Sequence, residues 1–533
     1  MCFSFIFLLR GQNPEFIGAE KFEYHSSFLE FGLINANEPT MICNHEVDLS
    51  YFNSDYDPMG VRAASVLRYE NEAFFHTVSF RGETDIRFLD AINNGNLMFM
   101  FETEGPLSFE DNEGNVISII DLPQLENMTG IVHFIENDFN ESIETSYIIA
   151  PSSGFQKLWQ IEPGLTLITG RFEETLKYVN PDESEVDLVG ESKYNIYAIA
   201  IDANGYYQWS YIDGVGGGIN DITGVVVLND EIILGHNTNT SRDSRIIHIN
   251  LQGEETREII DWEGIWIRDM DKDDNDNLIV SADYSLVPFG TNIDLNGSEY
   301  ILDPPNAWDG FLVKYDKNKN VSWVKYVTGE GPTSNLTIDL ANDAIFLSGA
   351  FDEDIILDPN GPNEIEMTGF DRYDAFVAKY QSDGSLVWAI TYGSDYNDDG
   401  QNIKIYENQI YVFGGFGGLM DVDPDPNEEI FLDIDDPFEV RAQYILVSND
   451  NGPNSTHSTN VDLSRAFPNP ATTYIELPNR NERIVRINDL MGQEIKHYYS
   501  NKIDISSLNN GAYILTSQRE DGSFVTQIVN IIH

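Results

Sequence analysis

Ile345-Phe-Leu-Ser-Gly-Ala-Phe351 recurs 65 residues later as Ile410-Tyr-Val-Phe-Gly-Gly-Phe416, and both copies run into acidic turns with proline, Leu357-Asp-Pro359 and Asp421-Val-Asp-Pro424. Weaker copies lie upstream at Leu167-Ile-Thr-Gly-Arg-Phe172 and Leu278-Ile-Val-Ser-Ala-Asp-Tyr284. A second motif keeps step with the first. Phe376-Val-Ala-Lys-Tyr380 leads through Asp383-Gly384 to Trp388, and Phe311-Leu-Val-Lys-Tyr315 leads to Trp323, again 65 residues apart. Tyr197-Ala-Ile-Ala-Ile201 with Asn204-Gly205 and Trp209 is a third copy, Ile246-Ile-His-Ile-Asn250 with Gln252-Gly253 a fourth, and Tyr147-Ile-Ile149 with Gly154 and Trp159 a fifth.

These segments are short, rich in Val, Ile, Phe and Tyr, and punctuated by Asp-Gly or Asn-Gly turns, which predicts antiparallel hairpins and almost no helix. A unit of three or four short strands cannot bury both faces alone. Copies must pack face to face, and closing them radially protects their edges. The expectation is an all-β fold: a β-propeller over residues 20–447, followed by a small C-terminal β-sandwich. First-motif copies near 100, 170, 235, 282, 349 and 414 give six blades. Val66-Leu-Arg-Tyr69 and Phe74-Phe-His-Thr-Val78 offer a seventh, so seven is favoured within a range of six to eight. Gln443-Tyr-Ile-Leu-Val447 stops after one strand, so an N-terminal strand is expected to complete that blade and lock the ring. The glycine of the first motif is read as permitting close approach near the axis.

Phe376-Val-Ala-Lys-Tyr380, Asp383-Gly384, Trp388 and Ser348-Gly-Ala-Phe351 resemble the secreted bacterial β-propeller repeats of the SBBP type, best over residues 278–447. That resemblance implies a fold and an extracellular setting, and no single reaction.

Residues 448–465 have the polar composition of a linker, and 466–533 change character. Ala466-Phe-Pro468-Asn469-Pro470-Ala471, Leu490-Met-Gly492, Ile503-Asp-Ile-Ser-Ser-Leu508 and Gly511-Ala-Tyr513 stand in the order of the C-terminal sorting domain of type IX secretion cargo in Bacteroidetes-type bacteria, which this module resembles throughout. Pro468 and Pro470 fix an extended entry, and Gly511 permits a bend before the next strand. The tail Val525-Thr-Gln-Ile-Val-Asn-Ile-Ile-His533 departs from the family, which usually ends in Lys or Arg. The resemblance implies the type IX secretion machinery as a partner and a secreted or outer-surface location. Residues 1–12, with the apolar run Cys2–Leu9 and no basic start, read as a truncated signal peptide.

The chain of 533 residues carries 30 Lys and Arg against 89 Asp and Glu, a formal charge of −59. Such a chain repels phosphate backbones, which excludes nucleic acid as a partner. Its 41% apolar share supports large cores, and no stretch approaches the length of a membrane span. The charge is uneven: residues 466–533 hold seven acids against six bases, leaving 82 acids and 24 bases before them. Cys2 and Cys43 offer at most one bridge, so no disulfide scaffold supports the fold.

Chemistry is harder to find. Gly190-Glu-Ser-Lys-Tyr194 lacks the second glycine of a nucleophile elbow, and no phosphate loop occurs. The nine histidines are scattered, the nearest pair being His236 and His248. Within Asp269-Met-Asp-Lys-Asp-Asp-Asn-Asp-Asn277, Asp269, Asp271 and Asp273 imitate the first, third and fifth ligands of a calcium loop. Asp274 stands where that loop needs glycine and Val280 where it needs glutamate, so the plainer reading is an acidic turn before a strand. Calcium is the one cofactor left open, and no catalytic residue is nominated. Trp262, Trp266 and Trp308 serve either core packing or stacking on sugar rings. The leading expectation is a secreted or cell-surface binding module for a glycan or protein. The alternatives are a polysaccharide-degrading enzyme with carboxylates at the channel mouth, and a structural or adhesive surface component.

Overall fold

A computed structural model describes residues 63–450 apart from a set of loops, the backbone of three strands within 15–45, and parts of 474–531. Residues 1–12, with the signal-peptide reading, lie outside the described residues, as do 451–465 of the linker.

Seven four-stranded antiparallel units follow one another. From the inside outward, blade 5 is Ile265–Lys272, Leu278–Tyr284, Gly310–Tyr315 and Val321–Gly329, and blade 6 is Thr333–Ala341, Ala344–Phe351, Asp374–Gln381 and Leu386–Tyr392. The innermost strands of blades 1 to 4 are Leu29–Asn35, Arg87–Asn93, Gly154–Glu162 and Asn220–Leu228, and that of blade 7 is Asp399–Tyr406. Each innermost strand packs against the next, and that of blade 7 packs against that of blade 1, so the ring is closed: this is a seven-bladed β-propeller.

The closure is made across the chain. Glu15–Phe22 pairs antiparallel with Ala442–Asn449 as the fourth strand of blade 7, with Glu20 opposite Ile445 and Phe22 opposite Gln443. The strand inferred from the incomplete last repeat is thus present, and the ring starts at Glu15, ahead of residue 20, and ends beyond Val447.

All six visible first-motif copies fall on second strands, and the seventh second strand is Glu38–His45. They read as unbroken apolar runs because both faces of a blade are covered by neighbours: every residue of Ala344–Phe351 is buried. One local reading changes. Tyr147-Ile-Ile149 is the outermost strand of blade 2 while Gly154 and Trp159 belong to the innermost strand of blade 3, so the fifth second-motif copy spans two blades. The motif glycine is hemmed in from both sides, by the innermost strand toward the axis and by its partner on the third strand. A Cβ on Gly349 would come within 2.8 Å of both the Leu336 side chain and the Phe376 ring, and one on Gly414 would collide with the Asp399 carbonyl and come within 2.6 Å of the Tyr444 hydroxyl.

Outer edges are covered by a shared device. The connection between the second and third strands of a blade forms a hairpin that adds to the outermost strand of the preceding blade. Leu107–Asp111 and Val116–Ile120 of blade 2 extend blade 1 to six strands, and Asp354–Leu357 and Ile365–Thr368 of blade 6 extend blade 5. The acidic Leu357-Asp-Pro359 turn is the tip of such a hairpin.

In the C-terminal module, Tyr474–Glu476 pairs with Lys502–Asp504, and a four-stranded sheet runs in the order Glu494–Tyr498, Val485–Asn488, Gly511–Gln518, Phe524–Ile531. Ile487, Ile505 and Leu508 are buried.

Candidate functional site

The axis of the ring concentrates the most perturbed acids. The inner strands of blades 2, 4, 5, 6 and 7 all carry an irregularity early in their pairing with the second strand, at Phe88/Asp90, Ile222/Gly224, Ile267/Asp269, Ser334/Thr337 and Gly400/Asn402. A bulge re-aims the side chain that follows it. In blades 2 and 5 that residue is an aspartate, and each accepts a backbone N–H from the next blade: Leu158 donates to Asp90 Oδ2 at 2.7 Å and Ile338 to Asp269 Oδ2 at 3.0 Å. A second position, opposite Ile279, Phe346 and Tyr411 on successive blades, holds Asp271, Asp339 and Lys404. Asp339 accepts the Ile405 N–H at 2.6 Å and faces Lys404 Nζ at 3.4 Å.

Charges held this close, with little water around them, shift one another's protonation. Burial pushes Asp90 up to about 6, partly offset by the N–H of Leu158 and by Lys157. Burial likewise raises Asp269 and Asp339, against the pull of Lys404. Asp271 is raised to about 7, through burial and then the charges of Asp339 and Asp269. Burial alone would lower Lys404, but the carboxylates of Asp339, Asp269 and Asp271 raise it instead.

The acidic run from Asp269 to Asn277 is therefore divided. Asp269 and Asp271 lie on the inner strand, whereas Asp273 opens the turn to the second strand. There its Oδ1 accepts the N–H groups of Asn275 and Asn277 at 3.0 and 2.9 Å, and its Oδ2 accepts Lys314 Nζ at 2.8 Å. Among the described residues no three His, Cys, Asp or Glu side chains converge as a metal-holding group. Of the three tryptophans, Trp262 is fully buried between blades, and Trp266 is half-buried at the start of the blade 5 inner strand with the Arg268 guanidinium 5.2 Å from its ring. Trp308 lies outside the described residues. Of the sorting-domain positions, Leu508 is buried, Gly511 pairs with Ile531 and Tyr513 with Val529, while Pro468, Asn469, Pro470 and Gly492 lie outside the described residues. The axial roles of Asp90, Asp339 and Lys404 were missed in the sequence, because one Asp among 82 upstream acids has no local signature.

Asp271 yields a signed prediction. Its folded value lies above its unfolded one, so its favourable contribution is complete below about pH 4 and lost as pH rises through about 7. Asp271→Asn should therefore raise the melting temperature at pH 8, and the gain should shrink to nothing near pH 4. A difference in melting temperature that is flat with pH would contradict the assignment.

Residues 465–531 match the family model described as the secretion system C-terminal sorting domain. No curated protein matches the chain. Among solved structures, BamB from Moraxella catarrhalis is 10% identical with a TM-score of 0.37, covering 81% of this chain and 100% of its own. The Dos1 propeller is 8% identical with a TM-score of 0.35, covering 76% and 88%. PorZ, described as an essential bacterial surface component of the type IX secretion system of Porphyromonas gingivalis, is 9% identical with a TM-score of 0.17, covering 93% and 91%. The sorting domain makes the chain a secreted or outer-surface-attached protein exported by type IX secretion. Among the described residues no helix is long and apolar enough to cross a membrane.

Proposed function

We propose that the propeller is an extracellular binding module, a rigid disc presented to a glycan or protein ligand after export, with repeats of the SBBP type. The observation that carries this reading is the use made of the axial acids: Asp90, Asp269 and Asp339 each hold a backbone N–H of the following blade, so these carboxylates latch the ring together. The half-buried Trp266 with its stacked Arg268 is the aromatic best placed for sugar. Calcium remains a candidate additive to that ligand set.

One observation favours the second reading, a polysaccharide-degrading enzyme. Asp271, near pH 7 and beside the acids Asp269 and Asp339, has the protonation behaviour of a general acid. Incubating the full chain with a panel of polysaccharides, with and without calcium, separates the two. Retention on a polymer without release of soluble oligosaccharides is the expected result. Release that Asp271→Asn abolishes would overturn the binding reading and establish the enzymatic one.

A further inference from the structure

The added hairpin of blade 2 ends in Val116–Ile120, the last strand of the six-stranded sheet of blade 1, and among the described residues nothing pairs with its outer side. An edge strand leaves a row of N–H and C=O groups open to another chain, and proteins usually blunt it with charge. The equivalent strand added to blade 5 follows that rule, since Ile365 and Met367 turn inward while Glu366 and Thr368 face solvent. Val116-Ile-Ser-Ile-Ile120 does not. Val116, Ile117 and Ile119 are 53%, 45% and 62% exposed, and the strand carries no charge.

The edge is also firmly held. Its partner strand packs Phe109 against Phe80 with ring centres 5.1 Å apart, within a cluster that includes Phe99, Phe101 and Phe134. Arg81 binds Glu110 at the start of the hairpin turn. A template fixed in advance costs a binding partner little ordering on this side.

We infer that Val116–Ile120 is a docking edge for an extended segment of another polypeptide, which adds as a further antiparallel or parallel strand and carries Lys or Arg at its ends. The charge around the edge selects that partner. Asp111 and Glu113 stand at the hairpin tip, and Asp121 follows the strand. At its base a cavity of about 270 Å³ is lined by Pro106 and Leu125 and rimmed by Glu104 and Glu126, a fit for an aliphatic stem with a cationic tip. No Lys or Arg occurs between Arg87 and Lys157, so no cation in this stretch competes for the carboxylates, although Asn115 already donates to Asp111 and Glu113 at the tip. A second copy of the chain is disfavoured by the same account, because it would bring acidic flanks together in a molecule of net charge −59.

This inference rests on the binding-module reading and narrows its ligand to a polypeptide. The probe is an acetylated, amidated peptide of alternating Thr and Val with two Lys at each end, titrated against the full chain by fluorescence anisotropy. Binding is expected, weakening with salt. The double variant Ile117→Lys, Ile119→Lys should lower affinity at least tenfold, or about 1.4 kcal/mol, while leaving the melting temperature unchanged. A twin peptide with alternate backbone nitrogens methylated should fail on the wild-type chain, which shows that main-chain pairing is involved. Equal binding to wild type and variant, no binding at all, or a dimer in sedimentation that the double variant dissolves would each overturn the proposal. Polysaccharide retention unaffected by the double variant would leave the module reading standing while this edge fails, so the two are separable.

Discussion

Replacing Lys379 with alanine lowers the stability of the propeller by about 3–5 kcal/mol, the largest expected effect of a single side chain in this ring. Lys379 stands on the third strand of blade 6, and its Nζ donates to both carboxylate oxygens of Asp450, at 2.8 and 2.6 Å. Asp450 directly follows the third strand of blade 7, so the pair spans two blades. The side chains are only 9% and 7% exposed, and the ammonium also lies 5.2 Å from the Phe346 ring. Two charges so deeply placed gain from each other about what they lose in leaving water, so the pair itself adds little net stability. Removing one partner is another matter, because it strands an uncompensated charge in an apolar seam. A double variant, Lys379→Met with Asp450→Leu, should therefore recover most of the loss, and Asp450→Leu alone should be nearly as damaging as Lys379→Ala. Urea unfolding of the wild type, Lys379→Met, Asp450→Leu and the double variant measures the coupling. A cost below about 1 kcal/mol for Lys379→Ala, the range of exposed pairs, would show that water reaches the seam.

Lys314 repeats the theme one blade earlier, reaching Asp273 in its own blade and the Ser382 carbonyl in the next at 2.8 and 3.0 Å. In a chain with only 30 cations these lysines are placed at seams, where the ring would otherwise have to bury acid alone.

The repeat period was legible because apolar residues carry it. Second strands are buried on both faces, so their motif survives as an unbroken run, and the turn glycines recur because the geometry demands them. Gly384, with φ near +83°, also presses against the Trp323 ring of the preceding blade, and Gly253 against Trp209. The tryptophan and the turn glycine, visible as separate repeating signals, are thus two halves of one contact between blades. The polar latches were not legible. Asp90 to Leu158, Asp269 to Ile338, Asp339 to Ile405 and Lys379 to Asp450 are each separated by about one repeat, 68, 69, 66 and 71 residues. Knowing the period locates the neighbouring blade but not which acid reaches it, since almost any position in so acidic a chain has a carboxylate one repeat away. The acidic run from Asp269 was ambiguous as a pattern for a related reason: sequence spacing cannot show that Asp271 ends on a strand and Asp273 in a turn.

Deleting residues 1–22 removes one strand and is expected to open the whole ring. Without Glu15–Phe22, blade 7 keeps three strands and Ala442–Asn449 becomes a bare edge beside blade 1. Neighbouring blades are joined mainly by apolar packing between their faces, and each contact supports the next around the circle. Only at this seam do the two ends of the propeller chain meet in one sheet, so the lost pairing must hold a loop of more than 400 residues closed. Closing so long a loop costs entropy that the remaining contacts between blades 7 and 1 have to meet alone. The truncated chain should therefore unfold at lower urea, over a broader transition, and bind a hydrophobic dye before unfolding. A synthetic peptide covering residues 13–24 should restore the sharp transition in trans, by about 2.7 kcal/mol when present at a hundredfold excess over its dissociation constant. Substituting proline for Glu20 in that peptide tests the pairing itself: because proline cannot donate to the ladder, the substituted peptide should rescue poorly. If it rescued as well as the parent, the strand would be acting through its side chains alone and the account of closure would fail.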